Sequence, residues 1–154
     1  MTKIAVMLGG NLPGTPSAFA AALEKFRAAG VTEMKCSKIY TSAAVDCVAD
    51  TPDFLDMAIS GFWADGAEDL LSLCQQIERE AGRPAIHSSR ESRILDCDII
   101  FFGSLEYALP QLTIPHPRAR VRRFVLEPLA EIAPEMSFPD GVTVAAALAE
   151  LSYG

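Results

Sequence analysis

Histidine is scarce in this chain, with two in 154 residues, and tryptophan occurs once. The four cysteines, Cys36, Cys47, Cys74 and Cys97, include no C-x-x-C pair and have no histidine close by in sequence. That spacing argues against a zinc centre and against a disulfide framework, and for reduced, partly buried thiols in the cytoplasm. No apolar run reaches the length needed to span a bilayer, so no membrane role is expected. A strand-like run begins almost at once, which leaves no room for a signal peptide. Positive charge is in the minority too: 13 Lys and Arg face 20 Asp and Glu, for a formal net charge of -7. Such a balance opposes non-specific binding to nucleic acid. Neither G-x-G-x-x-G nor a Walker lysine loop is present.

What basic charge there is clusters. Seven of the 13 basic residues are arginines between Arg83 and Arg123. Concentrated arginine in an acidic protein suits a small polyanion such as a nucleotide, or is simply an uneven surface. Half of the residues are hydrophobic, enough for one domain over residues 1–154 with a sizeable core.

Periodicity divides the chain into strands and helices. Ile4–Leu8 reads as a central strand. Gly9-Gly10-Asn11 follows, a weak candidate for a phosphate-cradling turn, with Asn11 bonding either its own turn or a ligand. Thr15 as N-cap, Pro16 and the Phe19, Leu23, Phe26 stripe predict a helix stopped by Gly30. Val31–Tyr40 is expected to be a strand, with Met34, Cys36 and Ile39 toward the core. Thr41–Pro52 has no period and reads as a loop. Phe54–Trp63 is a strand whose Asp56 shares a face with Phe54. Asp65 and Glu68 suggest a capping box before a helix carrying Leu70, Leu71, Cys74 and Ile77. Glu78, beyond that stripe, reads as a surface charge. Residues 83–92 form a polar loop; 106–112 suggest a hairpin. Proline on both sides holds His116 in place. A short helix over Leu126–Ile132, a turn at Phe138–Gly141 and a helix capped by Thr143 complete the chain. The order argues an α+β domain with two helices on a mainly antiparallel sheet.

The chemistry concentrates in R-I-L-D-C-D-I-I-F-F-G, Arg93–Gly103. On a strand, Asp96 and Asp98 point to one face and Cys97 to the other. Two carboxylates so close, among apolar neighbours, repel and lose hydration. A divalent cation offsets that cost, and Mg2+ favours carboxylate oxygens together with phosphate. Backbone N–H groups or an arginine would offset it equally well.

The motifs together resemble the 6-hydroxymethyl-7,8-dihydropterin pyrophosphokinases of folate synthesis. The resemblance rests on Gly9-Gly10-Asn11-Leu12, Pro52-Asp53-Phe54-Leu55, Ile77-Glu78 before Gly82-Arg83, and Arg93-x-Leu95-Asp96-x-Asp98-Ile99 with Phe102-Gly103. It continues through Ile114-Pro115-His116-Pro117, Arg122-x-Phe124, Glu131-x-Ala133-Pro134 and Phe138-Pro139-Asp140-Gly141. The fold it implies is a ferredoxin-like three-layer αβα domain with a mainly antiparallel sheet. The activity it implies is diphosphate transfer from ATP to the pterin hydroxymethyl group, releasing AMP, by a cytoplasmic monomer or small homo-oligomer. Carried over by position, Asp96 and Asp98 would bind two Mg2+ ions and Arg83 and Arg93 would hold the phosphates. Glu78, Thr113, His116 and Arg122 would serve the nucleotide. Asn11, Val45, Phe54, Asp56 and Phe124 would border the pterin.

Departures from the family pattern are specific. Asp56 stands where an asparagine usually reads the pterin. Ala85 and Arg90 stand for Arg and Trp, Glu91-Ser92 for Gly-Pro, Gln111 for Arg, Ser42-Ala43-Ala44 for Thr-Pro-Pro and Gly10 for Ser. They keep two alternatives open: a modified pterin or other small heterocycle as substrate, and a catalytically weak member that binds a nucleotide or a partner.

Overall fold

A computed structural model describes residues 1–43, 52–82 and 92–153. Residues 44–51 of the predicted loop Thr41–Pro52 and residues 83–91 of the predicted polar loop 83–92, and with them Val45, Arg83, Ala85 and Arg90, lie outside the described residues.

Strand β1 (Thr2–Gly10) is central. Ile4, Val6 and Leu8 pack on one face and Ala5 and Met7 on the other, so both sides are buried and the run is nearly all apolar. Helix α1 (Thr15–Ala28) buries Phe19, Ala22 and Phe26 against the first face. Its N-cap is Gly14, not Thr15. The Thr15 hydroxyl is used elsewhere, donating to the Ile94 carbonyl at 2.7 Å. The stop is as expected: Gly30 adopts φ 109°, and Val31 N–H closes back on the Phe26 carbonyl at 3.0 Å.

The predicted strand 31–40 is two pieces, β2 (Thr32–Cys36) and β3 (Tyr40–Ser42). Glu33 sits at φ 49° and the pairing register shifts between Thr32 and Lys35, which breaks the alternation. Met34 packs against the core as expected, but Cys36 and Ile39 are exposed. β3 also claims Thr41 and Ser42 from the predicted loop. Strand β4 (Phe54–Trp63) matches its predicted bounds. Helix α2 (Ala67–Glu80) buries Leu70, Cys74 and Ile77. Its start differs from the predicted box: Gly66 is the N-cap, and Gly66 N–H donates to Asp69 Oδ2 at 3.2 Å.

Strand β5 (Asp96–Phe102) is followed by the hairpin β6 (Tyr107–Leu109) and β7 (Leu112–Ile114). Helix α3 (Arg123–Ile132) starts three residues before the predicted Leu126. Helix α4 (Val144–Tyr153) is introduced by Thr143, whose hydroxyl accepts Ala146 N–H at 3.1 Å.

The strand order is β2-β4-β1-β5 with β3 also on β4, and the pairings are antiparallel. Each strand–helix–strand unit therefore skips one place, which the other unit fills. One apolar cluster joins the sheet to α1 and α2. A second joins the other face to α3 and α4, with Phe101 edge-on to Phe138 at 5.0 Å. Among the described residues four α-helices cover the sheet: α1 and α2, the pair expected between strands, on one face, and the two expected nearer the C-terminus, α3 and α4, on the other. The result is the αβα layering of a ferredoxin-like domain. No helix among the described residues is long and apolar enough to cross a membrane.

Candidate active site

In β5 the side chains of Cys97 and Ile99 enter the α1–α2 core, and Ile100 the other. Alternation puts Asp96 and Asp98 on the α3 side, each only half-buried. Gly9 pairs with Asp96 on one side and with Asp56 on the other; Met7 likewise separates Asp98 from Ala58. Directly paired residues share a face. Asp56, Gly9 and Asp96 thus form a row across three strands, with Gly9 leaving a gap between two carboxyl groups about 10 Å apart at the backbone.

Two devices fix the approach to β5. Asn11, 5 % exposed, exchanges backbone bonds with Arg93: its N–H donates to the Arg93 carbonyl at 2.9 Å, while its Oδ1 accepts Arg93 N–H at 2.8 Å. Its Nδ2 donates to the Pro52 carbonyl and to Ser92 Oγ, both at 3.2 Å. A buried amide so committed ties together the segments leading to Phe54 and to Asp96. Glu78 is the second device. Its Oε2 accepts Cys97 N–H at 2.8 Å, so a helix carboxylate holds the backbone between the two aspartates. Neither role was visible in the sequence, where Asn11 read as a turn residue or ligand contact and Glu78 as a surface charge. Gly10 also changes meaning. A Cβ there would meet the Ile94 carbonyl at 2.1 Å and Thr15 Oγ1 at 2.6 Å. The absent side chain admits the chain's own backbone rather than a phosphate.

Arg93 donates to Asp96 Oδ2 at 3.2 Å, and its guanidinium lies over the Phe54 ring at 5.2 Å. The arginine alternative for offsetting the acidic pair is therefore realised in part. From the other side come His116, after β7, and Arg122, at the N-terminus of α3. Arg122 feels Asp98 and His116 feels Asp96. Burial, then the Arg122 charge, holds the His116 imidazole below its ordinary value, so it is neutral near pH 7. Its Nδ1 faces Arg118 N–H at 3.4 Å, leaving Nε2–H as donor. Arg122 stacks on Phe124 at 5.4 Å, and Phe124 is 37 % exposed.

Arg93, Asp96, Asp98, Phe54, His116, Arg122 and Phe124 are thus brought to one end of the sheet, with Asn11 and Glu78 behind them and Asp56 one strand across. Thr113 is exposed on β7 and its hydroxyl turns to Leu109 of its own hairpin at 3.5 Å. Arg83 and Val45 lie outside the described residues. A cavity of about 440 Å³ opens elsewhere, between Lys3, Phe101, Glu135 and Phe138, and none of the predicted residues lines it.

Two hard carboxylate donors on one face suit a cation that takes its remaining ligands from water and phosphate, as Mg2+ does. Among the described residues no three His, Cys, Asp or Glu side chains gather into an all-protein metal cage.

Residues 5–134 match the model of the 7,8-dihydro-6-hydroxymethylpterin-pyrophosphokinase family. The chain belongs to that family. A Pseudomonas aeruginosa 2-amino-4-hydroxy-6-hydroxymethyldihydropteridine pyrophosphokinase is 36% identical over 141 residues, covering 90% of this chain and 85% of that protein. The Bacillus subtilis enzyme of the same name is 40% identical over 112 residues, 70% of this chain and 64% of that protein. The mitochondrial folate synthesis bifunctional protein of Arabidopsis thaliana is 35% identical over 131 residues; the chain spans 23% of its length. Among solved structures, Plasmodium falciparum HPPK-DHPS with pteroate superposes with a TM-score of 0.72 over 97% of this chain and 42% of that one. At 12% identity that likeness speaks to the fold, and places this pyrophosphokinase-family chain on the ferredoxin-like architecture.

Proposed function

We propose that the protein transfers diphosphate from ATP to the hydroxymethyl group of 6-hydroxymethyl-7,8-dihydropterin and releases AMP. The observation that carries this is the Asp96–Asp98 pair facing His116 and Arg122 across an open sheet end, in a chain of the pyrophosphokinase family.

In the reaction the substrate hydroxyl oxygen bonds to the β-phosphorus. The bond from that phosphorus to the oxygen bridging to the α-phosphorus breaks, and AMP leaves with the bridging oxygen while the hydroxyl proton passes to solvent. Asp96 and Asp98 would hold two Mg2+ ions, which when bound offset triphosphate charge and polarise the β-phosphoryl group. The protein's own task is alignment and charge placement. Arg93 and Arg122, with Arg83, supply cationic donors to the phosphate oxygens, and neutral His116 donates through Nε2–H. Glu78 and Asn11 hold the backbone that carries Asp96. Thr113 would serve the nucleotide, as the family resemblance implies. Phe54 and Phe124 flank a flat ring; a role for Val45 there is what the family resemblance implies. The thiols of Cys36, Cys74 and Cys97 are free, consistent with a cytoplasmic setting; a monomer or small homo-oligomer suffices for this chemistry.

Incubation with Mg-ATP and 6-hydroxymethyl-7,8-dihydropterin tests the reading. It requires AMP and diphosphorylated pterin in equal amounts. ADP, or ATP left intact, would refute it. A second reading keeps the chemistry and changes the ring: Asp56, an acceptor only, also suits a modified pterin or other small heterocycle that presents N–H donors to it.

A further inference from the structure

The least compensated polar group at this end of the sheet is Asp56. It is 5 % exposed. Ser42 Oγ donates to its Oδ2 at 2.7 Å, and Oδ1 has no hydrogen-bond partner among the described residues. Among the described residues nothing charged nearby relieves it. On β3, Tyr40 is its paired residue, but the Tyr40 hydroxyl goes to Glu131 of α3 at 2.7 Å, with Glu127 beyond. On β1 it faces Gly9, which has no side chain. Across that gap, Arg93 of the segment entering β5 is engaged with Asp96. Burial therefore pushes the Asp56 carboxyl up to about 6, with only the Ser42 hydroxyl pulling down. A buried acceptor left open beside a gap needs a donor from elsewhere.

We propose that Asp56 selects the heterocycle by an edge carrying two adjacent N–H groups, an exocyclic amine next to a ring N–H, and rejects an edge pairing N–H with a carbonyl. An ionised carboxylate only accepts. Oδ1 takes one N–H and the second lone pair of Oδ2 takes the other, a fork an amide in the same place cannot offer. A carbonyl on that edge would set oxygen against oxygen. The gap over Gly9 places this reading group about 10 Å from Asp96, so a fused bicyclic ring with a hydroxymethyl arm spans from the reader to the phosphate end. The inference rests on the pterin reading above and specifies which edge of the ring is read.

The test is binding without turnover, by calorimetry with 6-methyl-7,8-dihydropterin, which has no hydroxyl to receive a phosphate, and with its 2-deamino analogue. The wild type is expected to lose at least tenfold in affinity when the amine is removed; Asp56→Asn loses under threefold. Wild-type affinity for the amine-bearing probe is expected to rise about tenfold from pH 5 to pH 7.5, following ionisation of a group near 6, and Asp56→Asn to be flat. Ser42→Ala removes the hydrogen bond that lowers the Asp56 value, so the midpoint of the pH curve moves up. Affinity falling with rising pH, equal affinity for both probes, no binding of either, or a Ser42→Ala midpoint that stays put would each overturn the inference. Release of AMP is measured separately, so a chain that binds as described but transfers nothing refutes the diphosphotransferase reading alone.

Discussion

Asn11→Ala separates a structural staple from a ligand contact. The wild-type side chain makes three hydrogen bonds, to the Pro52 carbonyl, Ser92 Oγ and Arg93 N–H, and is nearly fully buried. A net contribution of about 0.5–1.5 kcal/mol each, with Arg93 N–H left unpaired in the variant, gives a loss of about 2–4 kcal/mol. For a domain of this size that is a fall in Tm of roughly 5–15 °C. Asn11→Asp retains the acceptor for Arg93 N–H and loses the two donated bonds, so it should fall between the two. Calorimetric melting without ligand measures all three proteins. The Mg-nucleotide affinity of Asn11→Ala should weaken as well, because Arg93 and Asp96 lose the anchor of the segment that carries them. A variant melting within 2 °C of wild type, with only heterocycle affinity reduced, would refute the staple and make Asn11 a plain ligand contact.

Glu78→Ala removes the acceptor of Cys97 N–H and should cost about 1–2 kcal/mol in denaturant unfolding while raising the Mg2+ concentration needed for nucleotide binding. Asp56 also sets a pH dependence of stability without ligand. Its folded value of about 6 exceeds the ordinary 3.8, so the native state holds the proton more tightly and stability falls as pH rises from 4 to 7. The shift corresponds to at most about 3 kcal/mol. Asp56→Asn, measured by urea unfolding across that range, should lack this decline and overtake the wild type near neutral pH. Parallel curves for the two proteins would contradict the assignment.

Much of the architecture could be read from periodicity, because both faces of the central strands are buried and the helices carry single apolar stripes. β4 agrees with its expected limits, and α1 ends at Gly30 as its left-handed backbone requires. Failures came where a residue has two plausible employers. Thr15 and Asp65 both look like N-caps. The Thr15 hydroxyl is taken by Ile94, a partner 79 positions away, and Gly66 with Asp69 serves the start of α2. Inside β2 the alternation is broken by a bulge at Glu33, and beyond its end the Ser37 hydroxyl accepts Ala58 N–H at 2.9 Å; no side-chain pattern announces either. In the candidate site, the D-x-D pair and its facing were legible from the period of two. The closure of Asn11 on Arg93 and of Glu78 on Cys97 N–H was not, since both join residues far apart through backbone groups that every residue carries. Asp56 was suspect as an acid beside an aromatic; only the fold shows one of its oxygens without a partner among the described residues and Gly9 as the gap beside it.

The central claim is that Asp96 and Asp98 bind nucleotide through a divalent cation. Titrating α,β-methylene-ATP into the folded wild type and into Asp96→Asn, with and without Mg2+, tests it most directly, because that analogue cannot lose AMP. Wild-type affinity is expected to rise at least tenfold with Mg2+, and that rise to disappear in the variant, equally folded by circular dichroism. Nucleotide binding of equal strength in both proteins and indifferent to Mg2+ would contradict it.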